Sequence, residues 1–139
     1  IFENIASLIK QGCIGAIKGV GGFHLVCDAT NDDVLKRLRE EKHRPTKPFA
    51  LMCEDVKMAK KLANISKKEA EVLTSMEAPI VLLEAKQSSL SKLVAPSPKG
   101  MLHQIGIMIA SNPFYILLFE KLDIPIVATS ANISGEPII

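Results

Sequence analysis

The chain has 139 residues, of which 47% are apolar, 4% aromatic and 23% charged, and its formal net charge is +2. This length can bury one sizeable core, built mainly from Ile, Leu, Val and Ala because aromatic residues are few. The small net charge argues against a general polyanion binder, so any role with nucleotides or nucleic acid must come from local clusters of cations.

Cysteine usage and hydropathy indicate the compartment. Cys13, Cys27 and Cys53 are odd in number, lack CxxC spacing and lie in apolar strand-like runs. This pattern predicts buried free thiols in a reducing cytoplasm, with no disulfide and no metal site. No apolar run approaches the roughly 20 residues that span a bilayer, and residues 1–20 lack the basic-then-apolar order of a signal peptide. We therefore expect a cytoplasmic protein with no membrane partner.

The chain begins with a predicted helix followed by two strands. Apolar residues recur at helical spacing from Phe2 to Ile9, and Gly12 can end that helix. Residues 13–18 and 23–29 have strand patterns.

A charged helix is predicted next. Thr30 or Asn31 can cap it, and acidic residues follow at its positive end. We expect its inward face to be apolar: Val34, Leu35 and Leu38. We expect its outer face to be charged: Lys36, Arg37, Arg39 and Glu40.

The third strand, at residues 49–53, precedes two short helices and a fourth strand. Asp55 and Ser66 are the predicted N-caps of these helices, and Ser66 with Glu69 forms a capping-box pattern. The fourth strand pattern covers residues 79–85.

The last third begins with residues 86–100, whose turn composition predicts a long surface loop. A strand follows at 105–110, then a helix that Asn112 and Pro113 begin and that runs through Leu122, then a strand at 125–132. Strands that alternate with helices predict an α/β layered domain with a largely buried sheet.

Three cations crowd into the turn after the charged helix: Lys42, Arg44 and Lys47. Two prolines stiffen this turn, and the glycine pair at 21–22 allows backbone N–H groups to approach a ligand closely. An arginine fork and mobile lysines suit a nucleotide triphosphate. The alternative is that this basic run is only a solvated face.

Ser130 and Asn132 lie two residues apart at the end of the last strand pattern. On an extended chain such residues point to the same side, so a hydroxyl and an amide could share one phosphate. Alternatively, they begin a turn before Gly135 and Pro137. A Rossmann site is excluded because GVGG lacks the GxGxxG order and precedes a strand, and there is no Walker A sequence.

Three blocks in this order resemble the YrdC-like domain of the HypF carbamoyltransferases of [NiFe]-hydrogenase maturation. They are KGVGGFHLVCDATN at 18–31, EKHRPTKPFALM at 41–52 and VATSANISGEPI at 127–138. The resemblance spans essentially the whole chain. It implies a single YrdC-like domain over residues 1–139, with a twisted mixed sheet, flanking helices and an open concave ligand face.

The resemblance also implies a reaction and its partners. YrdC-like domains make acyl adenylates from ATP, and the HypF branch implies carbamoyl adenylate, formed from carbamate that derives from carbamoyl phosphate. Mg²⁺ would arrive with the nucleotide. The implied partners are the other HypF domains and a HypE-type acceptor protein, in the biosynthesis of the cyanide ligands of hydrogenase.

Site residues follow from matched motifs. The family's KxR element matches Lys42 and Arg44, which should neutralise the triphosphate and the charge on departing pyrophosphate. The implied phosphate and nucleotide contacts are Lys47, Ser130 and Asn132. The implied carbamoyl contacts are Gly21, Gly22, Phe23 and His24. A lone strand histidine such as His24 can equally be structural.

The chain departs from the family pattern in two respects, and two alternative functions stay open. The family has proline, tyrosine and threonine where this chain has residues 110–112, Ala-Ser-Asn, so nucleotide contacts could differ. We also expect the chain to be a fragment of a longer multidomain protein, truncated at the C-terminal end of this domain. The alternatives are threonylcarbamoyl adenylate synthesis for tRNA modification and double-stranded RNA binding, although the single tyrosine offers little stacking for RNA.

Overall fold

The computed structural model describes residues 1–19, 22–42, 49–86 and 104–130. In these ranges the strands are β1 (Gly15–Gly19), β2 (Gly22–Asp28), β3 (Leu51–Cys53), β4 (Ala63–Asn64), β5 (Val81–Ala85), β6 (Gln104–Ile109) and β7 (Ile126–Ser130). The helices are α1 (Phe2–Lys10), α2 (Asp32–Lys42), α3 (Val56–Lys60), α4 (Lys67–Leu73) and α5 (Pro113–Phe119). None of these helices, within the described ranges, has the length and apolar character needed to cross a membrane.

The seven strands form one mixed sheet in the order β1-β2-β7-β3-β6-β5-β4. β3 pairs with β6 in parallel, and every other neighbouring pair is antiparallel. The prediction of an α/β fold with a mixed sheet and flanking helices is therefore confirmed. The six predicted strands are present, whereas β4 was not predicted because two residues carry no periodicity.

Helices cover both faces of the sheet. On one face, Leu35 and Leu38 of α2 pack with Leu73 of α4 in a core that contains Cys27 and Val127. On the other face, α1 and α5 pack against Val26 and Ile126, the chain neighbours of those strand residues. The helices contribute Ala6, Ile9, Leu118 and Phe119 to this second core. Successive strand residues point to opposite faces, so β2 and β7 contribute to both cores and their sequences are almost continuously apolar.

Local hydrogen bonds begin the helices where the sequence predicts. The side chain of Asn31 accepts from the N–H of Val34 at 3.2 Å, and Asp55 accepts from Met58 at 2.9 Å. Ser66 forms the predicted capping box with Glu69. Asn112 accepts from the Phe114 N–H at 2.7 Å, with Pro113 as the first helical residue of α5. Each cap satisfies an N–H group that the helix itself leaves unpaired.

Gly12 forms the turn after α1 with a φ of +94°, in the left-handed region where a side chain is disfavoured. Its carbonyl accepts a hydrogen bond from the guanidinium of Arg37. This contact ties the end of α1 to α2, so Gly12 ends the helix as predicted and also fixes a long-range contact.

Two expectations were wrong. Arg39 is buried, with 6% of its surface exposed, because it lies four residues after Leu35 and therefore on the inward face of α2. Cys13 is exposed, since β1 begins only at Gly15, whereas Cys27 and Cys53 are buried free thiols as expected. Burial raises the pKa of both buried thiols from 9.0 to about 12.

Candidate functional site

The start of β2 and the end of β7 lie side by side at one end of the sheet. Their antiparallel register pairs His24 with Ser130 and Leu25 with Thr129. The glycine-containing block and the first residue of the Ser-x-Asn element are therefore neighbours, although more than 100 residues separate them in the chain.

The chain reverses direction between β2 and α2. Asp28, at the end of β2, accepts hydrogen bonds from the N–H of Thr30 at 2.7 Å and from its hydroxyl at 2.5 Å. Asn31 then caps α2, which packs against β2. The last residue of this helix is Lys42, the first cation of the predicted basic turn.

A buried stack joins the end of α2 to the residues that enter β3. The guanidinium carbon of Arg39 lies 4.4 Å from the ring centroid of Phe49. The next residue, Ala50, accepts a hydrogen bond from the N–H of Ala128 in β7 at 3.5 Å. This stack connects α2 to Phe49 across residues 43–48, and the hydrogen bond of Ala50 joins the segment that enters β3 to β7.

A cavity of about 380 Å³ opens at the same end of the sheet. It is lined by His24, Phe49, Ala50, Met52, Ile80, Met108, Tyr115, Ala128 and Thr129. The described residues of the wall are mainly apolar, and this volume lies in the range of small-molecule sites. A more open groove of about 620 Å³ lies between Lys60 and Lys86, and the described residues that line it include none of the predicted site residues.

Of the predicted site residues, His24 lines this cavity and is half-buried. Phe23 is 44% exposed and, as the preceding strand residue, points to the opposite face of the sheet. The structure therefore does not bring Phe23 and His24 to the same pocket. Gly22 begins β2 and pairs with Gly19.

Of the remaining predicted residues, two are described by their backbone and four lie outside the described ranges. Lys42 is placed by its backbone at the end of α2, and Ser130 by its backbone at the end of β7. Gly21, Arg44, Lys47 and Asn132 lie outside the described residues, as does most of the predicted loop at 86–100.

The sequence analysis did not anticipate Tyr115. This residue lies in α5, lines the cavity and is 6% exposed. Among the described residues its hydroxyl has no hydrogen-bond partner. No motif marks it, and the only available signal was that it is the single tyrosine of the chain.

The chain matches the family model described as telomere recombination, Sua5/YciO/YrdC, over residues 7–139. It therefore belongs to the Sua5/YrdC family, and its fold is that of an α/β YrdC-like domain. Within this family it is similar to HypF carbamoyltransferases. It is 41% identical to that of Rhizobium leguminosarum bv. viciae and 44% identical to that of Synechocystis sp., covering 99% and 94% of the chain. The chain spans only 18% and 17% of the lengths of these two relatives.

Solved structures agree with this assignment. The crystal structure of a full-length HypF in its phosphate- and nucleotide-bound form aligns with a TM-score of 0.90 and 43% identity, over 99% of this chain and 18% of that one. The Pyrococcus abyssi Sua5 complexed with L-threonine aligns with a TM-score of 0.80 and 25% identity, over 98% of this chain and 40% of that one.

Proposed function

We propose that this domain forms carbamoyl adenylate from ATP and carbamate, the carbamate deriving from carbamoyl phosphate. The observation that carries the proposal is the match, over nearly the whole chain, to a HypF structure that holds phosphate and nucleotide. The pairing of β2 with β7 beside one cavity supports it, because these two strands contain parts of two of the motif blocks of the sequence analysis.

The proposed reaction needs no covalent enzyme intermediate. A carbamate oxygen attacks the α-phosphorus of ATP, the bond from that phosphorus to the bridging oxygen of the β-phosphate breaks, and pyrophosphate leaves. Catalysis then consists of holding the two substrates in line and stabilising negative charge that develops on the leaving group.

In this proposal the segment from Lys42 to Lys47, named the basic turn, supplies the positive charge. Lys42 and Arg44 act as the catalytic cations, and Lys47 contacts the triphosphate together with Ser130 and Asn132. The glycine block of residues 21–24 holds the carbamoyl end. His24 is supported as a contact because it lines the cavity, whereas Phe23, on the opposite face, acts through backbone groups or packing.

Magnesium would enter with the nucleotide and neutralise part of the phosphate charge. Among the described residues no three His, Cys, Asp or Glu side chains come together as a potential metal site. We propose that the magnesium ion is held mainly by ATP phosphates and water, because Mg²⁺ seldom uses an all-protein cage.

We further propose that the domain works within a longer, multidomain HypF-type protein in the cytoplasm. The support for a longer protein is that this chain covers only 18% and 17% of the two matched relatives. The other HypF domains would supply carbamate and accept the adenylate, and a HypE-type protein would receive the carbamoyl group.

Carbamate-dependent exchange of pyrophosphate into ATP tests the proposed reaction. Lys42→Ala and Arg44→Ala should each reduce the exchange rate strongly and raise the Kd for ATP at least about tenfold, equivalent to about 1.4 kcal/mol. The matched control is Lys67→Ala, which removes an exposed lysine from α4. Unchanged ATP affinity in both site variants would remove the basic turn from the site.

Asn132→Ala separates a phosphate contact from a structural turn. A phosphate contact predicts an unchanged melting temperature and severalfold weaker ATP binding. A structural turn predicts a loss of up to about 1–2 kcal/mol of stability with intact ATP binding in the folded fraction. The second pattern would remove Asn132 from the proposed site.

A second candidate is threonylcarbamoyl adenylate synthesis. The chain is 25% identical to the threonylcarbamoyl-AMP synthase of Vibrio vulnificus, over 96% of its length and 73% of the relative. We favour carbamate because the GGFH block replaces the block that the threonylcarbamoyl branch carries. Efficient product formation from bicarbonate, threonine and ATP would favour the second candidate.

A further inference from the structure

The cavity of about 380 Å³ lies on the face of the sheet that α1 and α5 cover in part. Met52 of β3 and Ala128 of β7 line it, and both belong to the core that these helices form with the sheet. Met108 of β6 packs against that core and also lines the cavity. Ala50 and Met108 are half-buried and Ile80 is 57% exposed, so these wall residues keep accessible surface for a bound molecule.

The middle of this wall is flat because its side chains are small. The register of β3 and β7 places Ala50 opposite Ala128, and the N–H of Ala128 donates to the Ala50 carbonyl at 3.5 Å. On the other side of Ala50 lies Gly106 of β6, where an added Cβ would be 4.0 Å from the Cβ of Ala50. The same added Cβ would be only 2.9 Å from a methyl group of Ile80, so Ile80 occupies the space that Gly106 leaves free.

Larger apolar side chains border this flat area. Met52 and Met108 are direct partners in the parallel pairing of β3 and β6. The register of β5 and β6 pairs Val81 with Ile107, which places Ile80 opposite Met108. Thioether groups are polarisable and make favourable contacts with aromatic rings. A flat area bordered by two thioethers therefore suits a planar aromatic ring.

The flat area also lies close to a proposed phosphate contact. Ser130 follows Ala128 by two residues in β7, which corresponds to about 7 Å along a strand. The register partner of Ser130 is His24, which lines the same cavity. A nucleotide carries its phosphates and its base at opposite ends of a ribose. A nucleotide with its phosphates near Ser130 can therefore extend its base along β7 towards Met52.

We infer that Met52, Met108 and the pair Ala50 and Ala128 form the subsite that binds the nucleobase of the nucleotide, with Ile80 at its rim. The inference rests on the proposed function and assigns the residues that bind the base rather than the phosphates. The ring packs flat on the two alanines, and the thioethers contact it from the side. Binding removes apolar surface of both the ring and the wall from water, which is favourable.

Methyl NMR of the methionines tests the inference on the unaltered chain, which contains five of them. ATP should shift the methyl signals of Met52 and Met108 through the ring current of the base. Two internal controls are the fully exposed Met76 and Met58, neither of which lines the cavity, and their signals should stay in place. Inorganic tripolyphosphate has no ring, so it should compete with ATP without producing the shifts at Met52 and Met108.

Substitutions in the flat area give a second readout. Ala50→Val adds two methyl groups where the ring lies and should raise the Kd for ATP about tenfold, with the Kd for tripolyphosphate unchanged. Met108→Leu keeps the volume but removes the sulfur, and it should raise the Kd for ATP about threefold. The matched control is Ala16→Val, at an exposed position of β1 outside the cavity, which should change neither Kd. The melting temperature of each variant shows that it is folded.

Two results would overturn the inference and leave the proposed function intact. One is saturable ATP binding without a shift at Met52 or Met108. The other is equal weakening of ATP and tripolyphosphate binding by Ala50→Val, because the flat area would then not distinguish the base from the phosphates. Lys42→Ala keeps the two proposals apart, since it should weaken both ligands. A wild-type chain that binds neither ligand would overturn the proposed function and the inference with it.

Discussion

Replacing Arg39 by methionine tests whether the buried stack on Phe49 supports the basic turn. Arg39 lies near the end of α2 and Phe49 lies just before β3, so their contact connects the two sides of residues 43–48. Methionine keeps the length and much of the aliphatic packing of arginine but removes the guanidinium. The change therefore removes the connection without opening a large cavity.

The expected loss follows from the burial of both groups. Arg39 is 6% exposed and Phe49 is 1% exposed, so the cation and the ring interact with little water between them. A desolvated interaction of this kind contributes about 2 kcal/mol. Methionine recovers part of this through packing, so the free energy of unfolding should fall by about 1–2 kcal/mol. For a domain of this size the melting temperature should fall by about 3–6 °C.

Urea unfolding and calorimetric titration with ATP, on the same preparations, measure the two consequences. If the stack positions the basic turn, Arg39→Met should also raise the Kd for ATP severalfold in the folded fraction. Lys36→Met is the matched control, because it removes one positive charge from an exposed position of the same helix. It should leave the stability nearly unchanged.

Two outcomes would refute parts of this reasoning. A melting temperature that moves by less than about 1 °C would mean that the stack contributes little stability. A clear loss of stability with unaltered ATP affinity would place Arg39 in the core but outside the nucleotide site.

Four further predictions concern stability and thiol chemistry. Gly12→Ala should cost about 1–2 kcal/mol in urea unfolding, since alanine is strained at a φ of +94°, and an unchanged midpoint would contradict this. Ser66→Ala should cost about 1 kcal/mol through loss of the capping box, with ATP affinity as the quantity that must not change. At pH 8 a thiol reagent should label Cys13 but not Cys27 or Cys53 in the folded chain, because only Cys13 is exposed. The pKa of both buried thiols is about 12 in the folded chain and near 9.0 in the unfolded chain. Their contribution to stability is therefore complete below about pH 9 and falls as the pH rises towards 12. A free energy of unfolding in urea that stays constant across this pH range would contradict the raised pKa values.

Local signals in the sequence determined most of the secondary structure. Asn31, Asp55, Ser66 and Asn112 each cap the helix that they precede, and Gly12 ends α1. Helix caps and helix ends depend on hydrogen bonds and backbone angles within a few residues, so the neighbouring residues in the sequence are sufficient to predict them. The sequence also indicated the family, because three motif blocks occur together in the expected order.

The tertiary structure decided which residues from distant parts of the sequence contact one another. Pairing of β7 between β2 and β3 brings His24 beside Ser130, and this order depends on long-range packing of two cores on opposite faces. Helical spacing from Leu35 places Arg39 on the inward face of α2, but its partner there, the ring of Phe49 ten residues further along the chain, is set by the tertiary structure. Tyr115 has the periodicity of an ordinary core residue, and only the tertiary structure shows that its hydroxyl has no hydrogen-bond partner among the described residues. Periodicity identifies the buried face of a helix, whereas the partner of a polar atom on that face depends on what the rest of the chain places beside it.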